Sequence, residues 1–256
     1  MQYSGRAMLM LAVRTSLSLA CHVFVVMMLV SAGVSFTAVL IAIPMIIVGG
    51  FAVTGFLHRS IAHRTYTITK GWLRKTLLFS SLFSLIGTPL GWAIVHRMHH
   101  RNLDKPGDPH SPWQIGFFRS YCHLWQLDEK TVDLSGCRDI ITNRELMFFH
   151  KHWLKITFGI WLTFYVIWGM IGLYAIGLAG VFAFHAFGVA NAVCHYGEER
   201  GDIVDLPKMS WLNFGENFHS YHHSFPSAYR FTATRSDPSA TIIEWLMKNK
   251  LAVGRK

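Results

Sequence analysis

The sequence predicts an all-α integral membrane protein: four transmembrane helices in two hairpins, beneath a cytoplasmic helical cap that holds a histidine-rich metal site. Three observations predict it. Charge is absent from two long stretches, the remaining charge falls on one side of them, and histidines recur beside them at helical spacing. The chain has 256 residues, 52% hydrophobic and 15% charged, with 24 Lys+Arg against 14 Asp+Glu and 15 His. High apolar content and only four Cys exclude a disordered chain, a collagen and a disulfide scaffold. Residues 15–57 and 156–197 contain no Asp, Glu, Lys or Arg. All 38 charged residues lie in the other 171, which are about 22% charged, close to the norm for protein in water.

Each uncharged stretch is long enough for two crossings at about 20 residues per span. In the first, Ser31-Ala32-Gly33 reverses the chain between spans at about 16–30 and 34–56. In the second, the 172–180 region separates spans at about 156–171 and 181–194. A cleaved signal peptide is a poor reading of the first stretch, which is too long and lacks a small-residue cleavage site before soluble sequence. Lys/Arg placement sets the orientation. The segment before the first span carries Arg6 and Arg14 and no acid. Residues 58–155 carry 14 basic and 7 acidic groups, residues 195–256 carry 8 and 7, and the hairpin tips carry none. A single domain over 1–256 is therefore expected, with a cap built from 58–155 and 195–256 and both termini on the cytoplasmic side. Attraction to an anionic leaflet accounts for much of the +10 net charge, and no separate basic domain exists to bind nucleic acid.

Residues 76–95 are also uncharged and long enough to span. Crossing there would place His58 and His63 on the opposite side from His96, His99 and His100. With Gly87, Pro89 and Gly91 inside it, the segment reads instead as an interfacial or re-entrant helix. Cys21, Cys122, Cys137 and Cys194 form no Cys-x-x-Cys pair, so neither a disulfide nor a thiolate metal site is expected.

The histidines cluster. His58-Arg-Ser-Ile-Ala-His63 follows the second span, His96-Arg-Met-His99-His100 follows the doubtful segment, His195 closes the fourth span, and His219-Ser-Tyr-His222-His223 lies in the C-terminal aqueous part. Residues at i, i+3 and i+4 share a helix face, so each His-x-x-His-His run is expected to form one three-imidazole patch, and Asn191 and His195 a same-face pair. His58 and His63, five apart, lie about 140° apart on a regular α-helix. They need a helix end, or serve two different ions. A lone His near an interface is usually solvated, and His22, His110, His123, His150, His152 and His185 read that way. Two such runs on one membrane face point instead to metal. Imidazole suits Zn, Cu, Fe and Ni, and spacing does not choose among them. Nine His exceed what one ion holds, so two ions are implied, and a hydrolytic zinc site with three ligands and a water fits poorly. Only Glu216-Asn-Phe-His219 has the Glu-x-x-His spacing of carboxylate di-iron bundles, and one copy cannot build that site. It leaves Glu216 to bond a ligand from outside.

At these residues the sequence resembles the integral-membrane fatty acyl desaturases, on their delta-9 (stearoyl-type) branch. His58-Arg-Ser-Ile-Ala-His63-Arg-Thr-Tyr is similar to the family's first histidine box. Gly91-Trp-Ala-Ile-Val-His96-Arg-Met-His99-His100, running on to Asp108-Pro109-His110, is similar to the second. Asn191-Ala-Val-Cys-His195-Tyr-Gly197 resembles the segment closing the last span, and Gly215-Glu-Asn-Phe-His219-Ser-Tyr-His222-His223-Ser-Phe-Pro226 the third box. The resemblance covers residues 15–230 or so. It implies two non-haem iron ions held by His58, His63, His96, His99, His100, His195, His219, His222 and His223, with Asn191 reaching one iron through water. It further implies four spans, a non-spanning helix between the first two boxes, and an oxidoreductase reaction. With O2 as co-substrate and two electrons, two hydrogens leave adjacent methylenes of an acyl chain, giving a cis double bond, most simply at delta-9.

Such methylenes carry no acidic hydrogen, so acid–base chemistry cannot begin the reaction, and the protein's part is to place the chain and exclude water. Trp92, Phe117 and Phe118 are candidates to line an acyl tunnel, set against plain packing. Animal acyl-CoA desaturases carry Arg-Asp just before the second box, where this chain has Ile94-Val95. That leans from acyl-CoA toward an acyl chain on a membrane lipid. No His-Pro-Gly-Gly haem motif occurs, so the electrons are expected from a separate ferredoxin or b-type cytochrome, and residues 58–155, net +7, are a face for an acidic donor. Two other readings stay open: a membrane hydroxylase, ketolase or acetylenase with the same centre, and a non-enzymatic membrane metal-binding protein.

Overall fold

The computed structural model describes residues 4–128, 132–232 and 235–255. Helix α1 (Gly5–Ala32) starts at Ser4, whose hydroxyl accepts from the Ala7 N–H, and stops at Gly33, where a φ of 70° lets the N–H reach Leu29 O. Helix α2 (Phe36–Phe51) is capped the same way by Ser35 and carries on without a break as a π-helix, Ala52–Ala62. Strand β1 (Tyr66–Ile68), α3 (Gly71–Ser81) and α4 (Pro89–Arg101) follow. A 3₁₀ turn at Leu82–Ser84 and the positive-φ residues Leu85 and Gly87 separate α3 from α4, which bend by 80°. Residues 76–95 are thus a broken helical pair rather than one straight rod.

Short helices α5 (Pro112–Ile115), α6 (Phe117–Tyr121) and α7 (Arg138–Ile141) lead into α8 (Arg144–Trp168) and α9 (Met170–Gly188), whose end is again a π-turn, Val189–Val193. Helices α10 (His219–Ser224) and α11 (Pro238–Lys248) precede strand β2 (Ala252–Gly254). Among the described residues three helices are long and apolar enough to cross a membrane, Gly5–Ala32, Phe36–Ala62 and Met170–Val193, or four when the bent α3–α4 pair counts as one. The predicted third span lies in the C-terminal half of α8, whose first half carries Arg144, Glu145, Lys151 and Lys155.

The reversal between α8 and α9 falls at Gly169, not in the 172–180 region where the sequence placed it. Glycines there act as packing surface. A Cβ on Gly177 would lie 2.8 Å from Val25, and one on Gly180 2.6 Å from Leu85, so their absence lets α9 pack close to α1 and to the α3–α4 bend. Large apolar side chains face outward along the spans, among them Val30, Val34 and Val166, as a lipid-facing surface requires.

The cap is tied to this bundle at both ends. Strand β1, just after the π-helix, pairs antiparallel with β2, with Tyr66 opposite Gly254, and the Tyr66 hydroxyl donates to Gly55 O at 2.9 Å. Farther along, Phe214 precedes the third histidine run and rests on α2 at Gly50, where a Cβ would stand 2.2 Å from its ring. Gly50→Ala is therefore expected to cost about 1–3 kcal/mol of stability by overpacking. A thermal melt in detergent checks it, and a melting temperature equal to wild type contradicts the packing described.

Candidate metal centre

The π-helix resolves the spacing of the first pair. Its backbone bonds run from i+5 to i, and the His63 N–H donates to His58 O at 3.0 Å. A turn wound this wide brings two residues five apart onto one side, and their ring centroids are 4.9 Å apart. Both histidines therefore serve one group, contrary to the two-ion alternative that α-helical geometry suggested. Arg97, next to His96 on α4, grips the end of this helix by donating to Ile61 O at 2.8 Å and Ala62 O at 2.7 Å. The first and second histidine runs are fastened together by backbone carbonyls.

Nine histidines converge in two groups. His58, His63, His96, His100 and His222 place one ligand nitrogen each within 4.8 Å of all the others, and His99, His195 and His223 do the same. His219 joins the second group, its Nε2 lying 2.8 Å from His195 Nε2 and 3.2 Å from His223 Nε2. In the first group Nε2 separations are 3.0 Å for His58–His222, 2.7 Å for His63–His96 and 2.8 Å for His100–His222. Each His-x-x-His-His run is split, which corrects the expectation of two three-imidazole patches. His96 and His100 face one group and His99 the other, while His222 faces the first and His219 and His223 the second. Both α4 and α10 sit astride the two groups, and the i+3 and i+4 positions diverge to either side.

Carboxylates hold two outer nitrogens and stand near a third. His58 Nδ1 meets Glu216 Oε2 at 2.7 Å, His99 Nδ1 meets Asp108 Oδ2 at 2.7 Å, and His195 Nδ1 lies 3.6 Å from Asp104 Oδ2. His219 Nδ1 donates to Glu216 O at 3.2 Å. A donor engaged at Nδ1 leaves the Nε2 lone pair to face inward, the arrangement by which proteins orient metal-binding imidazoles. His99 Nε2 is buried with no hydrogen-bond partner. Lone pairs packed against each other in a buried site need a cation between them, so the donor set fits metal. Of the outer carboxylates, sequence reasoning gave Glu216 a supporting role, named Asp108 only as part of the second-box resemblance, and missed Asp104. Asp104 and Asp108, four apart just after the second run, were the available signal.

Burial also decides protonation. It pushes His63 down to about 3, assisted by Arg97 and Arg59, and with neighbouring imidazoles holds His219, His222 and His223 well below their usual value. Burial pushes Asp108 up to about 7 and Glu216 up to about 8.

Asn191 stands outside both groups of close nitrogens. It lies on the π-turn four residues before His195, its Nδ2 3.4 Å from His123 Nδ1. Some of the histidines read as solvated are engaged. His110 is buried and stacks on His99 at 4.3 Å, burial pushing it down to about 3. His123 lies 3.1 Å from Phe184 O, and His150 Nδ1 lies 2.8 Å from Thr88 Oγ1.

Two cavities border the groups. Both are narrow, and one is lined by Arg14, Ser18, Ser84, Trp92, Phe187 and Asn191 among others. The second is lined by Met45, Gly50, Phe83, Ser84, Phe187 and Glu216 among others and is mostly apolar. They share Ser84 and Phe187. Trp92 stacks on His96 with ring centroids 5.2 Å apart, so it separates the first cavity from the histidines. Phe117 and Phe118 line neither; Phe118 is exposed, and Phe117 packs on Tyr121 and Tyr196.

Apolar membrane-length helices carrying a buried, histidine-only cage define a class, the histidine-box membrane metalloproteins. Within it the chain belongs to the fatty acid desaturase family, whose model matches residues 34–234. It is 31% identical over 191 residues to the delta-9 desaturase-like 3 protein of Arabidopsis thaliana, covering 70% of this chain and 62% of that protein. It is 30% identical over 210 residues to delta-9 acyl-lipid desaturase 1 of the same plant, covering 75% and 66%. A palmitoyl-monogalactosyldiacylglycerol delta-7 desaturase, chloroplastic, also from Arabidopsis thaliana, is 28% identical over 202 residues, 72% of this chain and 52% of that one. The chain thus spans a little under two thirds of the length of most of these relatives.

The pKa shifts fix the stability of the protein stripped of metal by a chelator. A buried imidazole whose folded value lies below 6.5 contributes stability above that pH and loses it as pH falls; His63, His110, His219, His222 and His223 all act so. Asp108 and Glu216, raised from 3.8 and 4.5, act oppositely and remove stability as pH climbs toward 7 and 8. The lowered imidazoles outnumber the two raised carboxylates, which places the expected maximum in melting temperature at about pH 7, with the steeper fall on the acid side. A fluorimetric melt series from pH 5 to 8 checks this, and a flat profile below pH 6.5 counts against buried neutral imidazoles.

Proposed function

We propose that this protein is a di-iron fatty acyl desaturase that introduces a cis double bond, at delta-9, into an acyl chain carried on a membrane lipid. The observation that carries the reading is the division of nine histidines into groups of five and four, with the Nδ1 atoms of His58 and His99 held by carboxylates and Nε2 atoms turned inward. Family membership supports acyl chains as substrate. His58, His63, His96, His100 and His222 would hold one iron and His99, His195, His219 and His223 the other, with Asn191 near the second through water. Iron bound there supplies, from O2 and two electrons, the oxidising power that acid–base groups lack.

This chain's own residues place and shield the substrate. The two narrow clefts share Ser84 and Phe187 in their walls and mark where an acyl chain would open a path beneath the histidines, the more apolar one suited to the methyl end. Trp92 and Phe187 keep the path dry next to the centre. Ile94 and Val95, each 3% exposed, replace the charged pair that would engage a CoA-linked head group, which favours a lipid carrier. Two relatives named acyl-lipid desaturases agree with that choice.

Four spans follow if α8 crosses with α9 and the bent α3–α4 pair dips into one leaflet. The charge pattern then puts the cap and both termini in the cytoplasm. Electrons come from a separate ferredoxin or b-type cytochrome drawn to the basic cap.

Expression in a desaturase-deficient host, with gas chromatography of total fatty acids, tests the reading. A new cis monoene is expected, and hydroxylated product without monoene sinks it. His99→Ala and His222→Ala, one from each group, are each expected to reduce monoene by at least about 100-fold while the protein still inserts in the membrane. Retained activity in either variant contradicts the assignment of its group.

A further inference from the structure

Fully buried, like its partner Asp237, Arg59 touches the centre's supports. Its Nη1 donates to both oxygens of Asp237 at 2.9 Å and to Tyr229 O at 2.7 Å. Its Nη2 reaches Glu216 Oε1 at 3.4 Å and Phe214 O at 3.5 Å. The guanidinium carbon stands 3.7 Å over the ring of Phe231. Both faces of this arrangement lead to ligands of the five-histidine group. Through Glu216, whose other oxygen meets His58 Nδ1 at 2.7 Å, Arg59 sets the orientation of His58. Through Phe231, whose ring centroid is 4.4 Å from that of His222, it backs His222. His58 Nε2 and His222 Nε2 in turn face each other at 3.0 Å.

The chain makes room for this contact. Gly215 has φ +91°, and a Cβ there would lie 2.3 Å from Asp237 Oδ1 and 2.9 Å from Arg59 Nη2. Any side chain at that position would separate the arginine from its acid. Asp237 is itself fixed, accepting from the Phe231 N–H at 2.9 Å and the Ala240 N–H at 3.0 Å. The anchor therefore belongs to the segment after the third histidine run, and Arg59 is its charged link to the first, beside the Thr54–Ser239 hydrogen bond at 2.7 Å and the contact of Phe231 with His58.

We propose that Arg59 is a positioning residue that, through Glu216 and Phe231, aligns His58 and His222 for metal, so that the five-histidine half of the cage depends on the segment around Asp237. The inference rests on the di-iron reading. Only a planar, multiply donating cation satisfies two carboxylates and two carbonyls together; a lysine ammonium does not. Arg59 touches neither substrate nor metal. Among the described residues its contacts lead to the four-histidine half only through the backbone carbonyl of Glu216, which accepts from His219 Nδ1 at 3.2 Å and is altered by neither Arg59→Lys nor Glu216→Gln.

Cobalt titration of the full-length, chelator-stripped protein in detergent tests it, the visible absorption of Co²⁺ reporting ligand geometry. Wild type is expected to bind two equivalents. Arg59→Lys and Glu216→Gln should each weaken one equivalent by about 10–100-fold and alter its spectrum, leaving the other within about threefold. The double variant should lose less affinity than the two single losses combined, because both changes break the Arg59–Glu216 contact and only Arg59→Lys also disturbs the Phe231 route. A merely structural arginine would lower the melting temperature and leave affinity and spectrum unmoved, and that result overturns the proposal. Fully additive losses overturn it as well. Glu216→Gln is isosteric, so if Arg59→Lys does not fold, unchanged cobalt binding by Glu216→Gln is sufficient to overturn it. A wild type that binds no cobalt overturns the metal reading and the positioning role with it. Two equivalents bound identically by wild type and variants overturn the positioning role alone.

Discussion

Everything in this molecule answers to one constraint: nine imidazole nitrogens are forced within reach of one another where water cannot separate them. Neutral rings so placed repel through their lone pairs and cannot relieve it by taking protons, because burial disfavours the charged form. The rest of the fold supplies what holds such a set together. Carboxylates take the outer nitrogens of His58 and His99, Arg97 clamps two backbone carbonyls beside His63, and the π-helix changes the pitch of the chain to bring His63 under His58. A π-turn is less favourable than α-helix and persists where surrounding structure over-determines it. Both π segments here end beside histidines of the cage, the first at His63 and the second just before His195.

Much of the architecture was legible in the sequence because membrane and water select different side chains. The charge-free runs marked α1, α2 and α9, and the breaks at Gly87 and Pro89 marked a bent segment. What failed did so for identifiable reasons. Glycine was read as a turn at 172–180 by a rule suited to water, whereas in an apolar bundle Gly177 and Gly180 mark close helix contacts. The nine histidines were legible by spacing together with the family resemblance, but their division into two groups was not. An i, i+3, i+4 pattern says that side chains share a face and says nothing of a boundary drawn across that face.

The outer shell was the least legible part. Asp104, Asp108 and Asp237 look like ordinary surface acids in a hydrophilic stretch, and only folding shows them buried. Arg59 is similar: inside a histidine-box motif it reads as one more basic cap residue, yet its guanidinium has no solvent contact. Short motifs capture atoms that meet the metal. The residues that aim those atoms are spread over 180 positions of sequence and follow no local pattern.

That spread bears on the order in which the protein can be made. His58 faces His222 across 164 residues, Arg59 faces Asp237 across 178, and β1 waits for β2 at residues 252–254. Synthesis proceeds from the N-terminus, so the first pair of histidines enters the bilayer long before its partners exist. Until then His58 and His63 are two imidazoles at the mouth of a helix, open to any passing ion. Completion of the two imidazole groups thus waits on the C-terminal segment, whose closing over the earlier helices brings His222, Glu216 and Asp237 to the first pair.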